Sequence, residues 1–422
     1  MQLQRSKDLW DVQYIYIAVL AACRVLSRRN LRLARFLPQV RSAIHLKNSQ
    51  ETVMSFIGPA ASNVSGPQFD YYGYEVRKNG WNTPPEYLSY VDDHWLKYDA
   101  PNPMLHHLLG VLYIGFTVMS LCGNGVVIWV FLGTKGLKTP SNMLVVHLAI
   151  ADFIMMLKTP TFVVNSFNEG PVMGRLGCSI YGFMGALSGP MNACTNAAIA
   201  FDRYKTITDP IDGRLTKGQV TGIILFIWLW ISPWVWMPFL EIWNRFVPEG
   251  YLTSCTFDYM SEGTKFFVVG IWFCMWLCPL LIILVSYYQV FAHVSKHEKA
   301  LKRQAEKMNV ESLRSGDKVN MRQEIRVAKV GITCTALYLM SWTPYVTLAF
   351  ICTFGRKELV TPFMSMIPAC TSKTAACIDP FIYAINHPKY RIALKKKLPW
   401  FCVHESEPSA ASETESKSQQ NA

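Results

Sequence analysis

Charged side chains are scarce in this chain of 422 residues, of which only 17% are Asp, Glu, Lys or Arg, against about 25% in soluble domains. Hydrophobic residues make up 51% and aromatic residues 13%. This composition argues against a soluble globular domain and favours a protein that crosses a membrane repeatedly. The net charge of +12 does not indicate nucleic-acid binding, because the basic residues lie in short segments between apolar stretches.

Metal-binding and repeat patterns are also missing. The 12 cysteines include no CxxC pair and no Cys/His cluster, so we expect no metal site. Most of the cysteines lie inside apolar stretches, where they are interpreted as small buried side chains. No internal repeat is evident, and the lack of an inverted repeat disfavours a transporter.

Seven apolar stretches dominate the rest of the chain. They cover residues 106–132, 143–165, 175–205, 220–242, 265–290, 327–352 and 362–386. Each exceeds the ~20 residues that a helix needs to cross about 30 Å of hydrocarbon. Helices are expected because the bilayer offers backbone groups no other partner. The sequence therefore predicts an all-α membrane protein with a bundle of seven transmembrane helices.

Basic residues are concentrated in alternate connections between these stretches and after the last one. They include Lys135, Lys138, Arg214, Lys217, Lys296, Lys299, Lys302, Arg303, Lys307 and Lys395 to Lys397. Positively charged loops stay on the cytoplasmic side of a membrane. We therefore expect the N-terminus outside the cell and the C-terminus in the cytosol.

Two segments precede the predicted helices. Residues 1–53 carry nine Lys and Arg against three Asp and Glu, and we treat them as a doubtful basic extension, with Met54 the more natural first residue. Residues 54–105 are predicted to be an extracellular region, in which Asn63 begins a glycosylation triplet. The seven-helix core is assigned to residues 106–386.

Residues 387–422 are predicted to form a short amphipathic helix followed by a disordered tail. The helix presents three consecutive lysines, from Lys395, to anionic membrane lipid. Cys402 follows at a position suited to palmitoylation. The tail is acidic and rich in Ser and Thr, a composition that does not support a packed core.

Ionisable residues inside the apolar stretches are candidates for function, because burying a charge in a membrane is costly. Four stand out: Asp152, Lys158, Lys373 and Asp379. Burial favours the neutral amine of Lys373, and a neutral lysine can form an imine with an aldehyde. A lysine that is paired with an acid, or that reaches the membrane interface, remains the alternative on the residues alone.

Six short motifs fall in order along the seven stretches. They are GN at 123–124, LAIAD at 148–152, DRY at 202–204, Pro279 with Tyr287, SWTP at 341–344 and DPFIY at 379–383. Together they resemble rhodopsin-like G-protein-coupled receptors over essentially the whole bundle. The family usually has Asn where Asp379 stands, although Asp is a common variant.

Lys373, seven residues before Pro380, narrows the resemblance to opsins. Other segments are similar to arthropod visual opsins: RFVPEG at 245–250, TSC at 253–255, HEKA at 297–300, KMNVES at 307–312 and HPKYR at 387–391. The resemblance implies that Lys373 binds retinal, 11-cis or hydroxylated, as a Schiff base. It also implies a photoreceptor of the rhabdomeric plasma membrane that serves vision and is not an enzyme, so no catalytic residue is assigned.

The resemblance also assigns the surroundings of the Schiff base. Vertebrate visual opsins have a Glu counter-ion at the position of Tyr181, and a neutral Tyr cannot take that role. The likeness to invertebrate opsins makes Glu249 the counter-ion instead; on the residues alone, Glu249 would be a solvated loop carboxylate. The family pairs Cys178 with Cys255 in a disulfide that ties the second outer loop over the retinal.

Lys158 is the main departure from a generic opsin. Arthropod ultraviolet-sensitive opsins carry a lysine in this context, and a cation near the imine disfavours a second cation. An unprotonated Schiff base absorbs in the ultraviolet, so the resemblance is closest to the ultraviolet and short-wavelength group. The alternative is that Lys158 pairs with an acid or water and leaves a blue-sensitive pigment. Trp342 is expected to pack against the retinal polyene.

The same resemblance assigns several residues to activation of the receptor. Arg203 is expected to pair with Asp202 and Glu324 at the cytoplasmic end, and Tyr204 completes the triplet. The motifs that hold Tyr287, Asp379, Pro380 and Tyr383 are assigned to the active state. Residues 297–310 should extend the fifth helix toward a G protein, which the arthropod signature indicates is of the Gq type. Receptor kinase and arrestin are expected at the tail.

Two other functions remain open at this point. One is a chemoreceptor of the same fold, which Lys373 and the lack of a suitably placed Asp in the third helix disfavour. The other is a retinal photoisomerase that does not signal, against which the intact DRY triplet and the long basic loop argue. No nucleic acid partner is expected.

Overall fold

A computed structural model describes residues 77–209, 212–308 and 315–399. Helices account for most of these residues, as the sequence predicts. The bundle consists of α1 (Pro103–Gly133), α2 (Pro140–Leu157 and Thr159–Phe167), α3 (Gly174–Thr208), α4 (Lys217–Phe239), α5 (Lys265–Ile271, a π-helical Trp272–Leu277, and Cys278–Met308), α6 (Ser315–Phe354) and α7 (Pro362–Thr371 and Thr374–Asn386). A short helix, α8 (Pro388–Lys397), follows.

Two prolines each leave a helix carbonyl without its usual backbone donor. Helix α2 is interrupted at Lys158, just before Thr159 and Pro160, because proline cannot bond the carbonyl four residues earlier. That carbonyl, of Met156, accepts instead from the Thr159 hydroxyl at 2.6 Å. In α7, Pro380 leaves the Ala376 carbonyl without its helical donor. Ser120 Oγ and Asn124 Nδ2 of α1 each donate to it at 2.9 Å.

Five helical segments in the described ranges are long and apolar enough to cross a membrane: Pro103–Gly133, Pro140–Phe167, Lys217–Phe239, Glu262–His297 and Val327–Phe354. Helix α3 carries more polar and small residues, because it packs against α2, α4, α5 and α6 rather than against lipid alone. Helix α7 is divided at Ser372 and Lys373 into pieces of 10 and 13 residues.

Most predicted helix ends lie within three residues of those in the structure, and the start of α6 differs by twelve. Helix α4 ends at Phe239 rather than at residue 242, because Glu241 and Trp243 adopt left-handed φ angles of 56° and 65°. Helix α6 begins at Ser315, well before the predicted residue 327. Its first turns are polar, so an apolar pattern could not mark them as part of the helix. Helix α5 continues to Met308, in agreement with the expected extension.

A β-hairpin covers one end of the bundle. Strands β1 (Phe246–Glu249) and β2 (Ser254–Phe257) pair antiparallel, with Glu249 opposite Ser254. The turn needs glycine at Gly250, where φ is +60° and an added Cβ would overlap Ser365 Oγ. Asn79, from the segment that precedes α1, donates to the Gly250 carbonyl at 2.9 Å. The hairpin is therefore held from both sides.

Helix α8 packs along the bundle on one face. Tyr390 stacks on Phe131 of α1 with ring centroids 5.2 Å apart, and Leu394 is buried in the same cluster. Lys395 and Lys396 are exposed on the other side. The helix thus has an apolar face and a face with two exposed lysines, whereas Lys397 Nζ lies 4.3 Å from the centroid of the Trp129 ring of α1.

Candidate functional site

A cavity lies between α2, α3, α5, α6, α7 and the hairpin. Its volume is about 190 Å³, measured as the space open to the centre of a water molecule. One water needs about 10–15 Å³ on this measure, so the cavity has room for a ligand of many atoms. Its wall is largely apolar and aromatic, and contains only three charged residues among those described: Lys158, Glu249 and Lys373.

Lys373 lies at the break in α7, between the two helical pieces. Its side chain is buried, and Nζ donates to the Ser372 hydroxyl at 3.0 Å. The Ser372 hydroxyl in turn donates to the Ala369 carbonyl at 3.1 Å. A primary amine is thus fixed in the wall of an apolar cavity, where an aldehyde can reach it.

Lys158 lies at the break in α2 and is buried in the wall of the same cavity. Its Nζ is 4.4 Å from the centroid of the Tyr181 ring, which places the ammonium over the negative face of the ring. Gly185 makes the space, because an added Cβ at that position would overlap Lys158 Nζ. The ring of Tyr181 therefore contacts Lys158. The Tyr181 hydroxyl has no hydrogen-bond acceptor or donor within bonding distance among the described residues.

Glu249 closes the cavity from the hairpin. Its buried carboxylate accepts hydrogen bonds from Tyr259 at 2.9 Å, Tyr345 at 3.2 Å and Ser254 at 3.3 Å. Burial raises the pKa of the Glu249 carboxyl, while these hydrogen bonds and the charge of Lys373 oppose the rise. One carboxyl therefore faces two lysine amines in a single cavity.

The donors to Glu249 were not identified from the sequence. Tyr345 follows Trp342 by three residues on α6, so helical spacing alone could have placed it on the same face. Tyr259 lies in the loop after β2, and no periodic pattern connects it to Glu249. Only the folded hairpin brings its hydroxyl to the carboxylate.

A disulfide joins Cys178 near the start of α3 to Cys255 on β2. It connects the hairpin that carries Glu249 to the helix that carries Tyr181. The two cysteines are 77 residues apart, and in the chain-entropy description a cross-link of that span stabilises the fold by about 4–5 kcal/mol.

We expect Cys178→Ser and Cys255→Ser each to abolish most of the folded, ligand-binding protein at 37 °C. The measurement is the yield of protein that is monodisperse after solubilisation. The double variant should be no worse than either single variant, since both remove the same bond. Additive losses would show that the cysteines act separately.

Trp342 lies in the cavity wall on α6 and packs against Gly189 of α3. A Cβ at Gly189 would come within 2.6 Å of the Trp342 ring, so only glycine allows this approach. Tyr345 packs edge-on against the same ring, with centroids 6.1 Å apart. The position of the indole is thus fixed from two helices.

Gly189→Ala should displace the Trp342 ring and weaken ligand binding by roughly tenfold, because overpacking a rigid contact costs about 1–3 kcal/mol. Binding of the ligand in the dark provides the measurement. The matched control is Gly222→Ala on α4, where an added Cβ has no described atom within 4 Å. Equal affinities for the two variants would contradict the expected role of the glycine.

The end of the bundle opposite the hairpin contains the residues of the DRY triplet. Asp202 and Arg203 are both buried and form an ion pair, and Ser141 donates to Asp202 at 3.1 Å. A second cavity of about 30 Å³ lies beside them and is also lined by Tyr383. Tyr204 packs in the cluster around Ile207 of α3 and Val290 of α5.

Three of the motifs place buried polar groups in the middle of the bundle: Asn124, Asp152 and Asp379. Asn192 of α3 donates to Asp152 at 2.6 Å, a partner that none of the motifs contains. Asn124 donates to the Ala376 carbonyl of α7 at 2.9 Å. The Tyr287 hydroxyl lies 2.8 Å from where a Cβ on Gly331 of α6 would be.

Three predicted sites fall where the structure gives no side-chain description. Asn63 and Cys402 lie outside the described residues, and Glu324 lies in α6 but its side chain is not described. Within the described parts of the chain, no group of three or more His, Cys, Asp or Glu could hold a metal ion.

The helical bundle, its buried lysine-containing cavity and the disulfide-linked lid define a seven-helix membrane receptor with an enclosed ligand site. Comparison with known proteins agrees. Residues 123–383 match the family "7 transmembrane receptor (rhodopsin family)". The crystal structure of squid rhodopsin superposes with a TM-score of 0.70 at 32% identity, covering 75% of this chain and 92% of that chain.

Relatives at higher identity are insect opsins. The ultraviolet-sensitive opsin of Apis mellifera is 52% identical over 338 residues, which are 79% of this chain and 91% of the bee protein. Opsin Rh3 of Drosophila melanogaster is 51% identical over 340 residues, which are 80% of this chain and 89% of the fly protein. The chain therefore belongs to the rhodopsin family of receptors and, within it, to the arthropod visual opsins.

An opsin is a photoreceptor protein of vision that acts through a G protein and is not an enzyme. Membership of this group implies a retinal chromophore. The residues present fit such a group: the cavity is apolar, and a buried primary amine, Lys373, lies in its wall. Bound retinal supplies the absorption of light.

Proposed function

We propose that this opsin is an ultraviolet photoreceptor in which Lys373 holds retinal, 11-cis or ring-hydroxylated, through an imine. The observation that carries the proposal is that the amines of Lys158 and Lys373 share one cavity with a single carboxylate. Two positive charges in a space of low dielectric repel each other strongly. The ammonium of Lys158 therefore keeps the Lys373 nitrogen neutral.

Glu249 is the counter-ion in this proposal: it balances the Lys158 ammonium while the Lys373 nitrogen is neutral, and the Lys373 nitrogen when that is protonated. Three hydroxyl groups orient its carboxylate, so it interacts with positive charge in the cavity without solvent. The ring of Tyr181 supports the ammonium of Lys158 on the opposite side. Trp342 lines the same cavity and would contact the chromophore there.

Signalling uses the cytoplasmic end of the bundle. The Asp202–Arg203 ion pair holds the inactive arrangement, with Glu324 as a further partner of Arg203. A change in ligand shape favours the state in which α6 moves outward, because that state binds the new shape better. Tyr204, Tyr287, Asp379, Pro380 and Tyr383 belong to the elements that rearrange.

The partners and location follow from the arthropod opsin group. The G protein is of the Gq type, and receptor kinase and arrestin act on the tail. The membrane is the rhabdomeric plasma membrane, with the N-terminus outside and the C-terminus cytoplasmic. The exposed Lys395 and Lys396 of α8 face anionic lipid.

The test is light-dependent nucleotide exchange on a Gq-type protein. Membranes that contain the full chain are loaded with 11-cis-retinal in the dark and illuminated with ultraviolet or with green light of equal photon flux. We expect exchange under ultraviolet light alone. Isomerisation of the chromophore without exchange would instead identify a photoisomerase, and exchange under green light would contradict the ultraviolet assignment.

A further inference from the structure

Two segments with exposed lysines meet at the end of the bundle opposite the hairpin: helix α8 and the connection between α1 and α2. Four lysine side chains are exposed there, namely Lys135, Lys138, Lys395 and Lys396. Residues 129–142 and 387–399 include no Asp or Glu, so the two segments themselves supply no carboxylate to balance these charges. A basic surface of this kind raises the local concentration of anions.

Buried packing holds the two segments against each other. Leu137, which lies between the two lysines of the connection, belongs to the same buried cluster as Tyr390 and Leu394 of α8. The single turn Lys135–Leu137 contacts α8, and Asn142 Nδ2 donates to the Leu137 carbonyl at 2.9 Å. The exposed lysines are therefore carried by a folded surface rather than by a flexible basic run.

Lys397 indicates where this surface lies relative to the bilayer. Its Nζ is 4.3 Å from the centroid of the Trp129 ring, and Trp129 is 48% exposed near the end of α1. Helix α1 is apolar and long enough to span a membrane, so the exposed part of this ring faces lipid. Tryptophan at the end of such a helix is typical of the membrane–water interface. The four exposed lysines thus lie at the level of the lipid headgroups.

A headgroup with several phosphates matches four ammonium groups better than a singly charged one. Each phosphate monoester carries about −1.5 to −2 charges near neutral pH and offers three acceptor oxygens. Basic clusters beside the cytoplasmic end of a membrane helix bind phosphoinositide headgroups. We propose that α8 and the α1–α2 connection together form a binding site for a phosphatidylinositol bisphosphate, with lysines of both segments contacting its phosphates.

The site differs from a general attraction of α8 for anionic lipid. General attraction depends on the amount of negative charge in the membrane, whereas a site built from two fixed segments discriminates between headgroups that supply equal charge. The inference rests on the orientation given with the proposed function, because phosphoinositides belong to the cytoplasmic leaflet.

A comparison of two lipids at equal charge tests the site. The full chain, without retinal, is purified in micelles and offered phosphatidylinositol 4,5-bisphosphate together with phosphatidylserine at about four times the concentration, so that the two lipids supply similar charge. Native mass spectrometry counts the lipids that remain bound. We expect one bisphosphate lipid per chain, at an occupancy roughly tenfold above that of phosphatidylserine. Occupancies that follow only the charge supplied overturn the proposal.

The connection between α1 and α2 is the part of the site that α8 alone does not provide. Lys135→Gln combined with Lys138→Gln should weaken binding of the bisphosphate lipid roughly 10- to 30-fold, because each lysine at an anionic headgroup contributes about fivefold. Lys395→Gln combined with Lys396→Gln should weaken it to a similar extent. If only the α8 variant loses affinity, the site belongs to α8 by itself and the proposal is wrong.

The connection between α3 and α4 offers a matched control. Arg214 and Lys217 are also exposed and also three positions apart, so Arg214→Gln combined with Lys217→Gln removes the same charge from a different connection. This variant should bind the bisphosphate lipid like the unaltered chain. A loss as large as that of the Lys135 and Lys138 variant would show a response to net charge alone and would overturn the proposal.

The two proposals can fail separately in these experiments. Micelles without retinal require neither a pigment nor an oriented membrane. A chain that forms no pigment, or that has the opposite orientation, would defeat the proposed function and leave the lipid preference measurable. Loss of the preference in a chain that still forms pigment would defeat this inference alone.

Discussion

Lys373→Ala should abolish covalent attachment of retinal. When the full chain is incubated with 11-cis-retinal in the dark and reduced with borohydride, mass spectrometry should find the retinyl adduct on Lys373, and the variant should show no adduct above background. The reason is geometric. Lys373 Nζ is held by Ser372 in the wall of the cavity that Glu249 also lines.

The second buried lysine provides the matched control. Lys158→Ala removes an amine from the same cavity but leaves Lys373 in place, so the adduct on Lys373 should remain. An adduct on Lys158 in the Lys373→Ala variant would contradict the assignment and show that either amine accepts the aldehyde. Loss of the adduct in both variants would show that the cavity itself depends on each lysine.

The bundle could be predicted from the sequence because hydropathy and length determine which segments cross a membrane. The break of α2 at Lys158 also has a sequence signal in Pro160. The early end of α4 has none, since it depends on left-handed φ angles at Glu241 and Trp243, which carry ordinary side chains. Such conformations are determined by contacts between segments.

The two lysines and Glu249 were identified from their burial or from resemblance, but the environment that determines their chemistry was not. Lys158 rests on Tyr181 only because Gly185 leaves room, one turn along α3 from that ring. Contacts across helices require the fold.

Lys158→Met should move the absorption maximum of the reconstituted pigment from the ultraviolet into the visible. Methionine has a similar length but no charge, so the variant removes the cation and keeps much of the volume. Two like charges near each other in a protein interior repel by roughly 3 kcal/mol. Relief of that repulsion favours protonation of the attached Lys373 nitrogen by about a hundredfold. The measurement is the dark absorption spectrum at neutral pH.

Two further variants separate charge from shape. Lys158→Arg keeps the cation and should keep the ultraviolet maximum, whereas a visible maximum would show that the shape of the lysine matters rather than its charge. In the Lys158→Met background, Glu249→Gln removes the remaining anion, so the visible band should be lost at neutral pH. If that band persists, another group neutralises the protonated nitrogen and Glu249 is not the counter-ion. A Lys158→Met pigment that still absorbs in the ultraviolet would mean that burial alone, and not the second lysine, keeps the Lys373 nitrogen neutral.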